Sequence, residues 1–380
     1  MSEETIRREA TPTEANAFDL QLFASETVAT EGKTLAPSIF SATESTIPAY
    51  GKALQGKGVN AFLSTNKKDI TEDFTGNRGE IQTESGVSVI FDNLKELKLT
   101  GHAHKLLRAI TMEFTSNVPF RGTTEANIGN FRIVHLSVER YMELCGITDR
   151  KEARKAIKEA CNALYSASLK WEEERYIKEP GKRTKKQKIT YNMRILSAKA
   201  ELERGDIIAS LTPEIALYLS HSYITFYPTK LFLLNTRSNP NSLHFGDKLT
   251  LHYSMNMDKP NANIIGVLTL LKSSPNIPRY EEIASKGQID QRIIEPFERD
   301  LDELKAKGVI NCWHYCNTNG AELTEDQLKR MDYETFSGLN IYFELADFPD
   351  QTERLAKKKE TIEKRKKAKA KQERSKKKAE

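Results

Sequence analysis

Residues 136–196 have the clearest structural pattern in the chain, LSVERYMELCGITDRKEARKAIKEACNALYSASLKWEEERYIKEPGKRTKKQKITYNMRIL. Ser137 is a candidate helix N-cap, and Gly146 can take the left-handed conformation that ends a helix. We expect Thr148 to cap a second helix over about 149–167. A short helix, a tight turn and a longer helix form the pattern of a helix-turn-helix.

The second of these helices has one apolar and one cationic face. Its apolar residues recur every three or four positions between Ala153 and Leu164, as in a helix packed on a core. Cations occupy the other face, and a helix of this kind fits the major groove of DNA. The candidate DNA-binding residues are Arg150, Lys151, Arg154, Lys155 and Lys158.

A hairpin with a cationic tip follows directly. Its predicted strands are the alternating segments Leu169 to Tyr176 and Ile189 to Leu196, and KEPGKRTKKQK lies between them at 178–188. A basic hairpin beside a recognition helix would bind phosphates, so we interpret it as the wing of a winged helix. Its candidate DNA-binding residues are Lys182, Arg183, Lys185, Lys186 and Lys188.

The same order of elements is predicted again downstream. A helix over 243–255, a strand at 264–267, a helical region to Lys307 broken near Gly287, and strands at 309–316 and 339–345 give a second winged helix with a large wing. Its matching DNA-binding candidates are Arg279, Lys286, Gln288, Gln291 and Arg292.

The predicted fold class is therefore α+β, with two tandem winged-helix domains, a disordered N-terminal arm and a basic C-terminal tail. Residues 48–84 are rich in Gly, Asn, Asp and Thr and indicate loops. The segments are a disordered arm at 1–45, a loop-rich extension at 46–94, the first winged helix at 95–236, the second at 237–348 and the tail at 349–380.

Charge is segregated along the chain. The net charge is +5, but residues 351–380 hold 14 Lys and Arg against 5 Asp and Glu. No apolar run reaches the roughly 18–20 residues needed to span a bilayer. The acidic start of the chain is not a signal peptide, and the 4 cysteines form no disulfide framework, so we expect a cytoplasmic protein without a membrane partner.

Four segments carry a resemblance to a known family. They are LTGHAHKLL at 99–107, the helix-turn-helix at 137–166, YPTKLFLLN at 227–235, and IIEPF at 293–297 with Leu301 and Leu304. Over about 95–346 the chain resembles the winged-helix replication initiators of theta-replicating bacterial plasmids and related mobile elements. It departs from them in its additional first ninety residues and in a less basic segment from Arg279 to Arg292.

The resemblance implies a function and partners. In this family, tandem winged helices read repeated origin sites in double-stranded DNA, monomers start replication, and dimers formed through the first domain often repress the initiator's own gene. It implies direct repeats as the DNA partner, contact with a host helicase or its loader, and a homodimer through the first domain.

Three other motifs suggest catalysis or metal binding. Residues 51–58, GKALQGKG, approach a phosphate-binding loop but have Gly58 where Ser or Thr would hold Mg²⁺. His102 and His104 resemble the paired histidines of rolling-circle nucleases, yet they begin a predicted helix. Cys312, His314 and Cys316 alternate along a strand without the pairing of a zinc site. We assign no catalytic residue, metal or cofactor.

The sequence thus favours a non-enzymatic, sequence-specific DNA-binding initiator. Two alternatives stay open: a winged-helix transcriptional regulator, and a metal-dependent origin-nicking endonuclease that uses His102 and His104.

Overall fold

The computed structural model describes residues 47–350 except 118–127, 178–184, 221, 285–286 and 329–331, together with Ala356 and Glu360. The arm predicted at 1–45 and nearly all of the predicted tail therefore lie outside the described residues. Within the described part of the chain, no helix is long and apolar enough to cross a membrane.

The region after residue 47 is folded, and the loop prediction for 48–84 is wrong. Its elements are β1 (Tyr50–Gln55), α1 (Lys57–Leu63), a 3-10 turn (Lys67–Asp69), β2 (Thr71–Glu72), β3 (Arg78–Gln82) and β4 (Val87–Asp92). Leu54 and Phe62 are fully buried. Their neighbours come from distant parts of the chain, and that long-range burial outweighs the local composition.

The first winged helix and its flanking elements come next. They are α2 (Gly101–Asn117), a 3-10 turn (Ile128–Asn130), β5 (Ile133–Leu136), α3 (Val138–Cys145), α4 (Arg150–Ser166), β6 (Ala167–Ile177), β7 (Lys185–Arg194), β8 (Leu196–Glu201), β9 (Ile207–Leu211), α5 (Pro213–Ser220), β10 (Tyr223–Pro228) and a 3-10 turn (Thr229–Leu233). β5, β9 and β8 form an antiparallel sheet in that order. With α2, α3 and α4 packed around this sheet, the predicted winged-helix fold is confirmed.

The helix-turn-helix has the predicted caps with one exception. The Ser137 side chain accepts a hydrogen bond from the backbone N–H of Arg140, and Gly146 ends α3 with a φ of 65°. Asp149, not Thr148, caps α4, because its carboxylate accepts from the backbone N–H of Lys151 at 2.9 Å. Thr148 lies one residue farther from the helix, beyond the reach of those first N–H groups.

The long basic hairpin is not the wing. β6 and β7 belong to a five-stranded sheet of order β2-β3-β4-β6-β7, separate from the winged-helix sheet. The chain passes from one sheet to the other at Ile195, so the strand predicted to end at Leu196 is divided between β7 and β8. The hairpin of β8 and β9 occupies the position of the wing. We use the name wing for the end of this hairpin, residues 201–206.

The N-terminal region is joined to the first winged helix by strand pairing. β1 pairs antiparallel with β10, and β4 pairs antiparallel with β6. These contacts surround α2, whose residues from Ala103 to Ser116 are all buried. α2 is therefore a central helix with no wide solvent face.

The second winged helix follows the order of the first. Its elements are α6 (Ser242–Asn256), β11 (Ile264–Gly266), α7 (Val267–Lys272), α8 (Tyr280–Ile283), a π-helical turn (Asp290–Ile294), α9 (Glu295–Ala306), β12 (Ile310–Cys316), α10 (Glu325–Leu328), α11 (Tyr333–Gly338) and β13 (Asn340–Leu345). β11, β13 and β12 form an antiparallel sheet in that order. Ile293, Phe297 and Leu301 lie on the buried side of the π-helical turn and α9.

Candidate nucleic-acid interface

The five predicted cations of the recognition helix all lie on the exposed side of α4. Apolar positions such as Ala153, Ile157 and Leu164 are buried, which fixes the orientation of the helix. The exposed side borders a concavity of about 750 Å³, whose lining also includes Glu96, Lys98 and Glu201. Helical geometry places the five cations in two neighbouring rows of i, i+4 spacing, in which adjacent residues are about 100° apart around the helix axis.

The first row, which we call the wing row, consists of Arg150, Arg154 and Lys158. Arg150 forms an ion pair with Glu139 of α3 and donates to the backbone carbonyl of Arg204 at 3.0 Å. Arg150 thus ties together the two helices of the helix-turn-helix and the tip of the wing.

The other two members of the wing row share one carboxylate. Lys158 Nζ lies 2.7 Å from Oε2 of Glu201, and Arg154 Nη2 lies 3.9 Å from Oε1. The hydrogen bond from Lys158 lowers the pKa of Glu201, and the charges of Lys158 and Arg154 act in the same direction. Glu201 is therefore a carboxylate at neutral pH.

The turn of the wing is shaped to receive Arg154. Gly205 has a φ of +87°, and a Cβ there would lie 2.0 Å from Nε of Arg154. The backbone N–H of Gly205 donates to the carbonyl of Leu202, and that of Leu202 donates to Asp206, both at 2.8 Å. Only glycine combines this backbone conformation with the close approach of the guanidinium.

The second row, which we call the open row, consists of Lys151 and Lys155. Both side chains are exposed, and neither forms an ion pair with any carboxylate among the described residues. Their charges are thus available to an external anion without the disruption of an internal ion pair.

The hairpin of β6 and β7 is less positive along its strands than the sequence suggests. Lys186 pairs with Glu174, and Lys188 pairs with Glu172, across the two strands. Lys182, Arg183 and the side chain of Lys185 lie outside the described residues. The excess positive charge predicted for this hairpin is therefore carried by its tip.

The structure separates the candidates of the second winged helix. Gln288, Gln291 and Arg292 are exposed just before α9, at the start of the second recognition helix. Arg279 lies instead in a cleft lined also by Lys68 and Asp69. Lys286 lies outside the described residues.

Three residues of this surface were not predicted from the sequence: Glu201, Arg204 and Gly205. A usable signal was present, because Leu202 to Asp206 contains a glycine at the turn between two apolar-rich strands. The segment at 178–188 carries more positive charge, and for that reason its hairpin was predicted to be the wing in place of the hairpin of β8 and β9.

The glycines of the phosphate-loop-like segment have packing roles. Gly51 lies in β1 opposite Tyr227. A Cβ at Gly56 would lie 2.7 Å from the Tyr218 ring, and one at Gly58 would lie 2.8 Å from Leu169. The segment is filled by protein side chains where a phosphate would need open backbone N–H groups.

The two histidines of the nuclease-like pair point to different environments on α2. His102 Nδ1 lies 2.9 Å from the hydroxyl of Tyr141. The ring of His104 is buried and contacts the rings of Phe62 and His244. This arrangement does not place the two imidazoles around one metal, which the nicking alternative requires.

The side chains of Cys312, His314 and Cys316 on β12 are also not arranged around a common metal position. Cys312 Sγ lies 3.9 Å from Glu344, His314 stacks on Tyr342, and Cys316 is buried. No group of three or more His, Cys, Asp or Glu side chains within the described ranges is arranged to hold a metal ion.

The first winged helix also matches a known family. Residues 93–237 match the family described as "Initiator Replication protein, WH1". Two solved structures of domains 2 and 3 of RctB are 11% identical to the chain, with TM-scores of 0.35 and 0.33. They cover 76% and 74% of this chain, which in turn covers 98% and 95% of theirs. No curated protein sequence matches the chain.

The fold and the cationic recognition helix define a DNA-binding protein of the winged-helix class. The family match is more particular, because residues 93–237 are similar to the first winged-helix domain (WH1) of initiator replication proteins. The resemblance to initiators predicted from the sequence is thereby confirmed.

Proposed function

We propose that this chain binds specific double-stranded DNA at the replication origin of a plasmid or related mobile element and initiates its replication. The observation that carries the proposal is the exposed face of α4, which presents five cations beside the wing within the residues that match the initiator family. α4 enters the major groove, and the wing lies next to it.

The two recognition helices contact successive parts of one site. The start of the second helix offers Gln288, Gln291 and Arg292, and Gln and Arg side chains can bond adenine and guanine edges respectively. Each winged helix would cover about one turn of DNA, so the site is a direct repeat of about 20 base pairs.

Phosphate contacts supply the part of the affinity that does not depend on sequence. Lys151 and Lys155 of the open row, and Lys182, Arg183 and Lys185 near the hairpin tip, are the residues proposed for it. Each lysine or arginine that neutralises a phosphate releases counterions, so this part weakens as salt rises.

The resemblance to plasmid initiators supports the remaining roles. We propose that the chain recruits a host helicase or its loader at the origin, and that a homodimer through the first domain represses the chain's own gene. A transcriptional regulator with the same fold would bind DNA without sustaining a replicon.

The experiment that tests the proposal has two parts. Lys151→Ala with Lys155→Ala should weaken binding to an origin duplex, whereas Lys248→Ala with Lys259→Ala removes the same charge near α6 and should leave it nearly unchanged. A plasmid with the repeats but no other origin should replicate only in cells that supply the chain. Equal weakening by both pairs, or no dependence of replication on the chain, would contradict the proposal.

A further inference from the structure

The wing row and the open row differ in how their charge is balanced. Lys151 and Lys155 pair with no acid among the described residues, while Arg154 and Lys158 both approach Glu201. The side chain of Glu201 is 41% exposed, so its carboxylate would face the DNA together with the cations it contacts.

A carboxylate in this place opposes a phosphate-binding role for the wing row. A phosphate bound by Arg154 or Lys158 would lie close to Glu201, and two like charges at that distance repel each other. Base edges carry no net charge, so a neighbouring carboxylate does not repel them in the same way. The wing row therefore suits contacts to bases, and the open row suits contacts to phosphates.

Arg154 has the free donors that base recognition needs. Its guanidinium lies 3.9 Å from Glu201, and no hydrogen bond links it to another residue in the described part of the chain. The side chain lies over Gly205, where a Cβ would approach Nε to 2.0 Å. The orientation of the Arg154 guanidinium is thus restricted before DNA binds. Glu201 lies on one side of it, and the backbone of Gly205, which has no side chain, lies on the other.

We propose that Glu201 is a specificity-determining positioning residue, which holds Arg154 against Gly205 so that the guanidinium bonds one guanine in the major groove. Arginine bonds the O6 and N7 atoms of guanine with two parallel hydrogen bonds, and this pairing requires a defined orientation of the side chain. The proposal rests on the proposed function and adds to it that the site contains a G·C pair read through the wing.

The test is selection from a pool of random-sequence duplexes with the full-length chain. The variants are Glu201→Gln, which keeps the size but removes the charge, and Gly205→Ala, which displaces Arg154. Glu203→Gln is the matched control, because Glu203 lies in the same wing and forms no ion pair among the described residues. Thermal unfolding of each variant shows whether it is folded.

The expected result is a weaker preference at one position only. The wild-type chain and Glu203→Gln should select the same motif with the same guanine. Glu201→Gln and Gly205→Ala should both reduce the preference for that guanine by about 5- to 100-fold, as expected when one bidentate bond to a base is removed. Total affinity for random duplexes should not fall in Glu201→Gln, since a negative charge has been removed.

Two results would overturn the inference, and they can be told apart. If the wild-type chain selects a motif and Glu201→Gln keeps the full preference at every position, the positioning role is wrong while the proposed function stands. If the wild-type chain selects no motif, sequence-specific binding fails and the inference fails with it. Because the side chain of Glu201 is exposed, a folded Glu201→Gln variant decides between these results even if Gly205→Ala unfolds.

Discussion

The guanidinium of Arg108 lies 3.3 Å from the carboxylate of Asp247, and only 3% and 14% of the two side chains are exposed. Arg108 belongs to α2 in the first winged helix, and Asp247 belongs to α6 in the second. Arg108 also lies over the ring of Tyr227, at 5.3 Å from its centroid. A buried ion pair thus joins α2 of the first winged helix to α6 of the second.

Removal of one partner of this pair should destabilise the protein strongly. Asp247→Ala leaves the buried Arg108 charge without a carboxylate to balance it, so the free energy of unfolding should fall by about 3–5 kcal/mol in denaturant titration. Arg108→Met with Asp247→Leu should restore most of that stability, since no buried charge remains. Lys98→Ala breaks the exposed pair with Glu159 and should cost at most about 1 kcal/mol. If Asp247→Ala also lowered the free energy of unfolding by at most about 1 kcal/mol, the pair of Arg108 and Asp247 would not hold the two domains together.

The burial of two neighbouring imidazoles, His104 and His244, makes stability depend on pH. The ring centroids lie 5.1 Å apart, and burial lowers the pKa of His244 to about 4 and that of His104 below its usual value. Unfolded histidine takes up a proton near pH 6.5, whereas the buried ring stays neutral, so stability is present above that pH and falls as the pH drops toward 4.

The size of this pH effect can be measured on one residue. Between pH 7 and pH 5, His244 should lower the free energy of unfolding by about 2 kcal/mol. His244→Asn should flatten the profile by that amount, and His314→Asn on β12 serves as the control. A slope unchanged by His244→Asn would mean that this imidazole is not the buried neutral group described.

Local signals explain why the helix-turn-helix was predictable. The cap at Ser137, the left-handed Gly146 and the apolar period of α4 all act over a few residues, and each is visible in the sequence. The same holds for the break at Gly287, whose φ is +62°. The cationic candidates on α4 followed because the apolar face leaves only one side of the helix exposed.

Long-range pairing explains what was missed. β1 pairs with β10 across more than 160 residues, so no local partner marks residues 50–55 as a strand. β2 and β3 do pair with their neighbours in sequence, but the many Gly, Asn, Asp and Thr residues between 71 and 79 conceal that hairpin. No sequence pattern indicated that Glu201 contacts the recognition helix. An acidic residue is not sought in a DNA interface, and only the folded wing brings it to Arg154 and Lys158.

The positive charge of the C-terminal tail leads to a prediction about DNA affinity. Residues 351–380 hold 14 Lys and Arg against 5 Asp and Glu, so we propose that they attract DNA of any sequence. Their removal should lower affinity for random duplexes more than it lowers the ratio of specific to random binding, with little change in the thermal midpoint. A collapse of the ratio itself, measured by competition with random duplex, would place the tail within the sequence-reading surface.

The glutamates on the strands of the β6 and β7 hairpin lead to a prediction about DNA affinity. Glu172 and Glu174 pair with Lys188 and Lys186 on the neighbouring strand. Exposed pairs of this kind are weak, so the lysines can exchange a glutamate for a phosphate, but the glutamates then remain beside the DNA. Glu172→Gln with Glu174→Gln should therefore strengthen binding to all duplexes alike.

The salt dependence separates the hairpin tip from its strands. Lys182→Ala with Arg183→Ala should reduce the slope of log affinity against log salt by about 0.9 for each phosphate that is no longer neutralised. Lys186→Ala should have a smaller effect, because its charge is balanced by Glu174. Glu322→Gln with Glu334→Gln, which removes two charges from the second winged helix, is the control for net charge. If that control strengthened binding as much as Glu172→Gln with Glu174→Gln, the hairpin would have no particular place at the phosphates, and its effect would be one of total charge only.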